Sequence, residues 1–187
     1  MSYAFEEAVI RHCAATLAGH KCGSLFCSAQ CTEADIQEAN ALMNPKGVRV
    51  ESLKSCGCGT LVYVYRPAAL NARLNEREIR TFLNSCGYDG ETDCISHLKS
   101  RIQLESFPHE IGVFLDYPLE DVIAFIENKG EHCPLVGCWK AYTDPESALK
   151  TFALYRKCRD VYLRCFARGI GVNRLTVAGC GVTRANA

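Results

Sequence analysis

Residues 48–66 read VRVESLKSCGCGTLVYVYR, and this segment predicts a β-hairpin. Its second strand candidate, residues 60–66, is rich in the β-branched and aromatic side chains that favour extended backbone. Between the two candidates lies Cys56-Gly57-Cys58-Gly59, whose glycines permit the positive φ angles of a tight turn. Strands joined by such a turn pair antiparallel, so the segment argues against a purely parallel sheet.

On both sides of this hairpin, helical and strand-like patterns alternate without a long linker, a repeat or a low-complexity stretch. Apolar residues four apart, such as Phe5, Val9 and Cys13, predict a helix over residues 3–18. Thr32 and Asp35 resemble a capping box, which predicts a helix to about residue 43. Further helices are predicted at residues 75–86, 92–104, 118–130 and 144–168, and further strands at residues 24–27, 111–115, 136–142 and 174–178.

These elements predict a single α/β (or α+β) domain over residues 1–182. We expect a mixed sheet of about five or six strands that contains the β-hairpin and is covered by helices. Residues 183–187 are expected to form a flexible tail. A chain of 187 residues can bury roughly 70% of its unfolded surface, so it needs no disulfide or metal to fold.

The charge balance excludes some classes of partner. The chain has 21 basic and 21 acidic residues, whereas nucleic-acid binders usually carry a basic excess, so no nucleic-acid partner is expected. No apolar run approaches the roughly 20 residues that span a bilayer, and no membrane association is expected. The first residues lack the basic start and apolar core of a signal peptide, so we expect a cytoplasmic protein.

The chain is rich in cysteine, with 13 residues. The number is odd and no secretion signal accompanies it, so reduced thiols are expected rather than a disulfide framework. Most are expected to be small buried hydrophobes. No pair has the Cys-x-x-Cys spacing of a zinc knuckle, so no metal site is predicted. Cys56-Gly57-Cys58 could still bind a soft metal or form a redox pair.

The first candidate site is His12-Cys13, because a thiolate beside a base can act as a nucleophile. Adjacent helix residues point about 100° apart, which prevents a simple hydrogen bond between them. Cys13 also shares the apolar face of Phe5 and Val9, so a buried thiol is the favoured interpretation and Cys13 is a weak catalytic candidate. His12 and Thr16 share another edge of the helix, which could face a pocket.

The second candidate is the segment FPHEIG, residues 107–112, which ends at a predicted strand. His109 and Glu110 supply a titrating base and a carboxylate, so they are the catalytic candidates. Tyr117 follows shortly before a predicted helix N-terminus, where anions bind. Alternatively, His109 and Glu110 cap local backbone groups and have no role in function.

The third candidate is Trp139-Lys140-Ala141-Tyr142. In an extended segment Lys140 and Tyr142 point to one side and could bind an anionic ligand together. A half-exposed sheet face gives the same pattern and is the favoured alternative. The sequence has no dinucleotide-binding glycine motif, P-loop, zinc-protease motif or nucleophile elbow. The identity of any cofactor therefore does not follow from the sequence.

Six blocks of the sequence occur together: HCAATLAG (residues 12–19), VYRP (residues 64–67), FPHEIG (residues 107–112), YPLEDV (residues 117–122), Trp139-Lys140 and Lys157-Cys158-Arg159. They resemble an uncharacterised bacterial family, common in anaerobes and known as domain of unknown function 3793. The family usually has proline where Ala15 stands and an apolar residue where His20 stands. The resemblance implies no activity, but it directs attention to His12, Cys13, Thr16, Lys21, Arg66, His109, Glu110, Trp139 and Lys140.

We therefore expect a cytosolic binder of a small anionic metabolite or cofactor, with acid–base catalysis at His109 and Glu110 as an extension of that role. The expected ligand contacts are His12, Thr16, Lys21, Arg66, Tyr117, Trp139 and Lys140. If there is one site, His12 or Thr16 should lie within a side chain's length of His109 or Glu110. A thiol-dependent metal-binding or redox protein and a non-catalytic protein–protein interaction module stay open, as does a homo-oligomer.

Overall fold

The computed structural model describes residues 1–57, 59–88, 90, 93–104 and 107–179. The chain divides into two compact units. The first unit consists of Met1–Ala72 together with Tyr155–Ala187, and the second unit is the continuous segment Arg73–Leu154. Cys58 and the predicted tail at residues 183–187 lie outside the described residues.

In chain order the helices are α1 (Tyr3–Leu17), α2 (Glu33–Met43), α3 (Pro67–Leu74), α4 (Arg77–Ser85), α5 (Cys94–Ile102), α6 (Ile111–Phe114), α7 (Leu119–Glu127), α8 (Pro145–Phe166) and α9 (Val172–Leu175). The strands are β1 (Gly23–Ser28), β2 (Arg49–Cys56), β3 (Gly59–Tyr65), β4 (Leu135–Val136) and β5 (Lys140–Ala141). The mixed α/β composition is thereby confirmed.

The first unit contains an antiparallel sheet with the strand order β1-β3-β2. The predicted β-hairpin is confirmed as β2 and β3, and Cys56 pairs with Gly59 at its turn. Gly59 has φ +137°, and a Cβ atom there would lie 2.6 Å from the carbonyl oxygen of Ser28. Only glycine therefore lets β3 approach the end of β1 so closely.

Helix α1 packs its apolar face into the core of the first unit. Phe5, Val9, Cys13 and Leu17 are fully buried, and they pack with Val62 and Val64 of β3. The Ser2 hydroxyl accepts a hydrogen bond from the Phe5 amide and caps the helix. The predicted capping box of α2 is confirmed, since the Thr32 and Asp35 side chains bond each other's backbone amides.

The predicted sheet of five or six strands is wrong, because the described residues form one three-stranded and one two-stranded sheet. The predicted strand at residues 111–115 is helix α6. Ile111 to Leu115 are all buried, so this uniformly apolar segment has no alternation of apolar and polar residues that would separate a strand from a helix. The side chain of Arg73 donates to the carbonyl oxygens of Val113 and Tyr117 and holds the end of α6.

Two more strand predictions need correction. Residues 136–142 form the short hairpin of β4 and β5, with Gly137 and Trp139 in its turn, rather than one strand. Residues 174–178 begin inside helix α9, because Gly171 precedes a helical turn in which Thr176 bonds the carbonyl oxygen of Val172. None of the helices in the described part of the chain is both long and apolar enough to cross a membrane.

Candidate functional site

A cavity of about 310 Å³ lies in the second unit, among α6, α7 and the hairpin of β4 and β5. This volume is at the lower end of the range of about 300–1,000 Å³ that is typical of small-molecule sites. Most of its wall is apolar, and five ring side chains contribute to it: Phe107, His109, Tyr117, Phe125 and Trp139. Four of the predicted site residues, His109, Tyr117, Trp139 and Lys140, therefore line one pocket.

Helix α7 forms one wall of this pocket because Phe125 lies one turn after Asp121 and Val122, so that all three side chains line the cavity. The helix begins after Pro118, whose fixed φ angle suits the residue before the first turn. Gly112 of α6 allows the two helices to meet closely, since a Cβ atom there would lie 2.7 Å from Val122 Cγ2. The close contact between α6 and α7, which both line the pocket, thus depends on Gly112 having no side chain.

Asp121 fastens α7 to the segment that carries Trp139 and Lys140. It is buried, and its Oδ2 accepts a hydrogen bond of 2.7 Å from the Trp139 indole N–H. Its Oδ1 accepts from the Tyr142 amide at 2.8 Å and from the Thr143 amide and hydroxyl at 3.0 and 2.9 Å. Four donors on one carboxylate stabilise the charge without another charged group. Asp121 is therefore a positioning residue of the pocket wall.

The Trp139 indole is held on three sides. It stacks on Tyr117 with ring centroids 5.2 Å apart and packs its edge against Phe152 at 4.5 Å. The Tyr117 hydroxyl donates to the Cys138 carbonyl oxygen at 3.1 Å. Burial, with a smaller contribution from the Cys138 thiol, raises the pKa of Tyr117 to about 12, so this phenol stays protonated at neutral pH.

Lys140 is the cationic side chain of the pocket. Its Nζ donates to the Gly130 carbonyl oxygen and lies 5.8 Å from the centroid of the Phe125 ring. Within the described chain, no Asp or Glu side chain forms an ion pair with it. An ammonium group has three donors, so Lys140 retains hydrogen-bonding capacity and an unneutralised charge at an apolar wall.

The side chains of His109 and Glu110 have different surroundings although the two residues are adjacent in sequence. His109 is exposed, lines the pocket and meets the Phe125 ring edge-on at 5.1 Å. Glu110 is buried, where its Oε1 accepts from Arg101 Nε and, at 3.4 Å, from the Tyr88 hydroxyl. The two residues occupy the turn that starts α6, which sends their side chains in different directions. They do not form one acid–base pair.

In the first unit, Thr16 and Arg66 have structural partners. Thr16 is fully buried, and its hydroxyl shares a hydrogen bond of 2.8 Å with Ser24. Arg66 donates to the carbonyl oxygens of Thr16, Leu17 and Val177 at 2.6–2.8 Å. Burial lowers the pKa of Arg66, yet the Thr16 and Leu17 carbonyls at the end of α1 suit a cation.

Cys13, His12 and Lys21 also belong to the first unit. Cys13 is fully buried, and burial raises the pKa of its thiol, although Lys21 opposes the shift. A thiol in this environment is a poor nucleophile. His12 stacks on Phe26 at 5.3 Å, and burial and then Arg11 lower its pKa. Lys21 Nζ lies 5.5 Å from the centre of the Tyr155 ring.

The expected proximity of His12 or Thr16 to His109 or Glu110 joins residues of the two units and stays a prediction. Among the described residues, no three His, Cys, Asp or Glu side chains come together as a metal site requires. The candidate pair Cys56 and Cys58 cannot be placed, because Cys58 lies outside the described residues.

Asp121 and Phe125 are pocket residues that were not among the sequence-based candidates. Asp121 stands beside Glu120 in the first turn of α7, where acidic side chains are ordinary, and Phe125 is one more apolar residue of an apolar helix, so no local signal marked either of them. The apolar pattern of the helix would instead indicate a buried face of Leu119, Val122, Ile123 and Ile126. In the structure Ile126 is 39% exposed, and Asp121 is buried instead.

Comparisons with known proteins agree with the resemblance. A family described as protein of unknown function DUF3793 matches residues 9–176, which includes every element from most of α1 to α9. Comparison with curated proteins and with solved structures found no match. Because the matched residues make up most of the sequence, the chain belongs to the DUF3793 family of proteins of unknown function.

Proposed function

We propose that the chain is a cytosolic binder of a small anionic metabolite or cofactor, and that the ligand occupies the pocket of the second unit. The observation that carries this proposal is the position of Lys140, whose ammonium group lines an apolar cavity without a carboxylate partner among the described residues. A partly desolvated cation attracts an anion more strongly than a cation in water does.

The other polar groups of the pocket support an anionic ligand in different ways. Asp121 uses its carboxylate for four donors of the protein, so it has little capacity left for a ligand. His109 is exposed at the pocket and can donate a hydrogen bond in either protonation state. A reducing compartment also suits a chain with 13 cysteines.

Acid–base catalysis has narrower support than binding. Glu110 is engaged with Arg101 and Tyr88, so His109 is the side chain of the original pair that a ligand in this pocket would meet. A thiol-dependent function has less support, because Cys13 is buried in the apolar core of the first unit. We therefore propose ligand binding as the main role, and His109 as the residue that would transfer a proton if the protein is also an enzyme.

Native mass spectrometry of the gently purified protein tests this proposal. We expect a non-covalent small-molecule adduct on the wild type, and we expect Lys140→Met to lower its occupancy by about tenfold or more. Lys150→Met is the matched control, since Lys150 is a 73% exposed lysine of the same unit that pairs with Glu146. Its surface ion pair contributes little, so the control should keep the adduct.

Two outcomes would contradict the proposal. The first is an adduct that survives Lys140→Met as well as it survives Lys150→Met. The second is wild-type protein without an adduct that also gives no change in the fluorescence of Trp139, the single tryptophan, when a small-molecule extract of the cells is added.

A further inference from the structure

We infer that the ligand class of this pocket is a flat aromatic acid, in which one carboxylate is attached to a ring system of one or two fused rings. This inference deepens the proposed function and rests on it. Its first support is the composition of the wall, where ring side chains dominate and aliphatic side chains are the minority. Aromatic faces prefer offset-stacked or edge-on aromatic partners to aliphatic ones of equal area.

One ring of the wall, the indole of Trp139, is held in a fixed orientation. Trp139 is fixed by its bond to Asp121, by the stacked Tyr117 ring and by the edge contact with Phe152. Gly137 allows the Phe152 contact, because a Cβ atom there would lie only 2.1 Å from a carbon of that ring. Side chains that are already ordered lose little conformational entropy when a ligand binds. A rigid indole that lines the pocket suits a rigid planar ligand.

A second pair of rings lines the same pocket. His109 packs edge-on against Phe125, and Phe107 lies 6.4 Å from His109 between ring centroids. The Nζ atom of Lys140 lies over the Phe125 face. A carboxylate bound to Lys140 therefore lies close to the Phe125 ring. The body of the ligand that carries this carboxylate then meets an aromatic surface. Lys140 therefore selects for the carboxylate of the ligand, and the aromatic rings of the wall select for its ring system.

The charge of the wall argues against the other ligand that aromatic pockets commonly bind, a quaternary ammonium ion. Such a cation would meet the like charge of Lys140. It would also find the Asp121 carboxylate already occupied by the Trp139 indole and by the Tyr142 and Thr143 groups. Like charges in a partly desolvated site repel strongly. An anionic head on the ring is the complementary choice.

Calorimetric titration of the full chain with four related probes tests the inference. The probes are naphthalene carboxylate, its fully hydrogenated counterpart, naphthylmethanol and naphthylmethyl trimethylammonium. We expect naphthalene carboxylate to bind most tightly. The hydrogenated acid should bind about 2- to 10-fold more weakly, the worth of one aromatic pair, although it is the more hydrophobic molecule. The alcohol should bind at least about 10-fold more weakly, because it lacks the charge-assisted bond to Lys140.

Two substitutions of Trp139 isolate the role of the ring. Trp139→Phe and Trp139→Leu both remove the indole N–H that bonds Asp121, so they lose the same hydrogen bond. Only the phenylalanine variant keeps an aromatic face. We expect Trp139→Phe to retain the preference for the aromatic acid over the hydrogenated acid, and Trp139→Leu to lose most of it. Because the two variants are compared with each other, a shared loss of stability does not affect the conclusion.

Equal binding of the aromatic and hydrogenated acids would overturn the aromatic class and leave the proposed anion site intact. Tighter binding of the ammonium probe than of the carboxylate would overturn the charge assignment and, with it, the proposed function. If no probe binds while native mass spectrometry shows an adduct lost in Lys140→Met, then the proposed function stands and the aromatic class is wrong.

Discussion

Arg66 in the first unit and Lys140 in the second are both cations that the sequence singled out, yet their surroundings differ. Arg66 is buried and donates to three backbone carbonyls. Lys140 is half-buried, donates to one carbonyl and lines a cavity. A cation whose donors are used by the backbone holds the fold together. A cation with donors to spare beside a cavity is a candidate for a ligand.

Two buried carboxylates, Asp35 and Asp121, also lie one in each unit. Asp35 in the first unit accepts from the Ser2 amide and from Thr32, so it fixes the start of α2. Asp121 in the second unit is equally engaged, but its donors belong to the segment that forms the pocket wall. Proximity to a cavity is therefore not enough to make a charged residue a ligand contact. The residue must also have hydrogen-bonding capacity that the protein itself does not use.

The largest expected effect is that of Arg66→Met. The variant leaves three carbonyl oxygens without their donor in a buried place, so the free energy of unfolding should fall by about 3 kcal/mol or more. Urea denaturation followed by far-UV circular dichroism measures this loss. The control is Arg156→Met, an exposed arginine of α8, which should stay within about 0.5 kcal/mol of the wild type. Equal stability of the two variants would contradict a structural role for Arg66.

Asp121→Asn should follow in magnitude. The amide has the same size, but its NH₂ group would face either the Trp139 indole N–H or the backbone amides of Tyr142 and Thr143. We expect a loss of about 2–3 kcal/mol in unfolding free energy, together with a red-shifted emission of Trp139 as water reaches the indole. Glu120→Gln, at the exposed neighbouring position, should change neither quantity. An unshifted emission in Asp121→Asn would contradict its positioning role.

The pH dependence of stability should depend on Asp35. The Ser2 amide bond is the main cause that lowers the pKa of Asp35 to about 2, although burial opposes it and Thr32 adds to it. A folded-state pKa below the unfolded value gives stability that is present above pH 4 and lost as the pH falls towards 2. The loss should be about 2 kcal/mol. Asp35→Asn should be less stable at neutral pH and should lack this part of the acid dependence in urea titrations.

Glu110→Gln and His109→Gln should have the smallest effects and should differ from each other. Glu110→Gln weakens the buried bonds to Arg101 and Tyr88 and should cost about 1–2 kcal/mol. His109 is exposed, so His109→Gln should cost about 0.5 kcal/mol or less while it weakens ligand retention. Thermal melting and native mass spectrometry measure the two quantities. The reverse pattern would restore Glu110 as the functional residue.

The sequence predicted the fold best where the signal was local. The hairpin of β2 and β3, the start of α2 and the first helix all depend on residues within a few positions, such as Gly59 and the Thr32–Asp35 pair. The prediction failed at residues 111–115, because every side chain there is buried and no polar position marks a period. The size of the sheet was wrong because residues 111–115 and part of 174–178 are helical, and because β4 and β5 form a sheet of their own.

The candidate site was predictable as a set of residues, but not as an arrangement. The sequence identified His109, Tyr117, Trp139 and Lys140, which line one pocket, together with Thr16 and Arg66, which do not. The partners of Arg66 are backbone carbonyls, which every residue carries, so the sequence contains no sign of them. Asp121 was missed because its donors lie some twenty positions later, beyond the reach of any local pattern.

The discontinuous first unit has a consequence for synthesis of the chain. The bond between Arg66 and Val177 joins residues 111 positions apart, and Val177 also bonds the Leu17 carbonyl oxygen. A ribosome adds about 5–20 residues per second, so α1 and the three-stranded sheet wait on the order of 10 s for the segment that completes them. The second unit is continuous and is synthesised in full during that time. The nascent chain therefore carries an unfinished apolar core until residues 155–177 emerge.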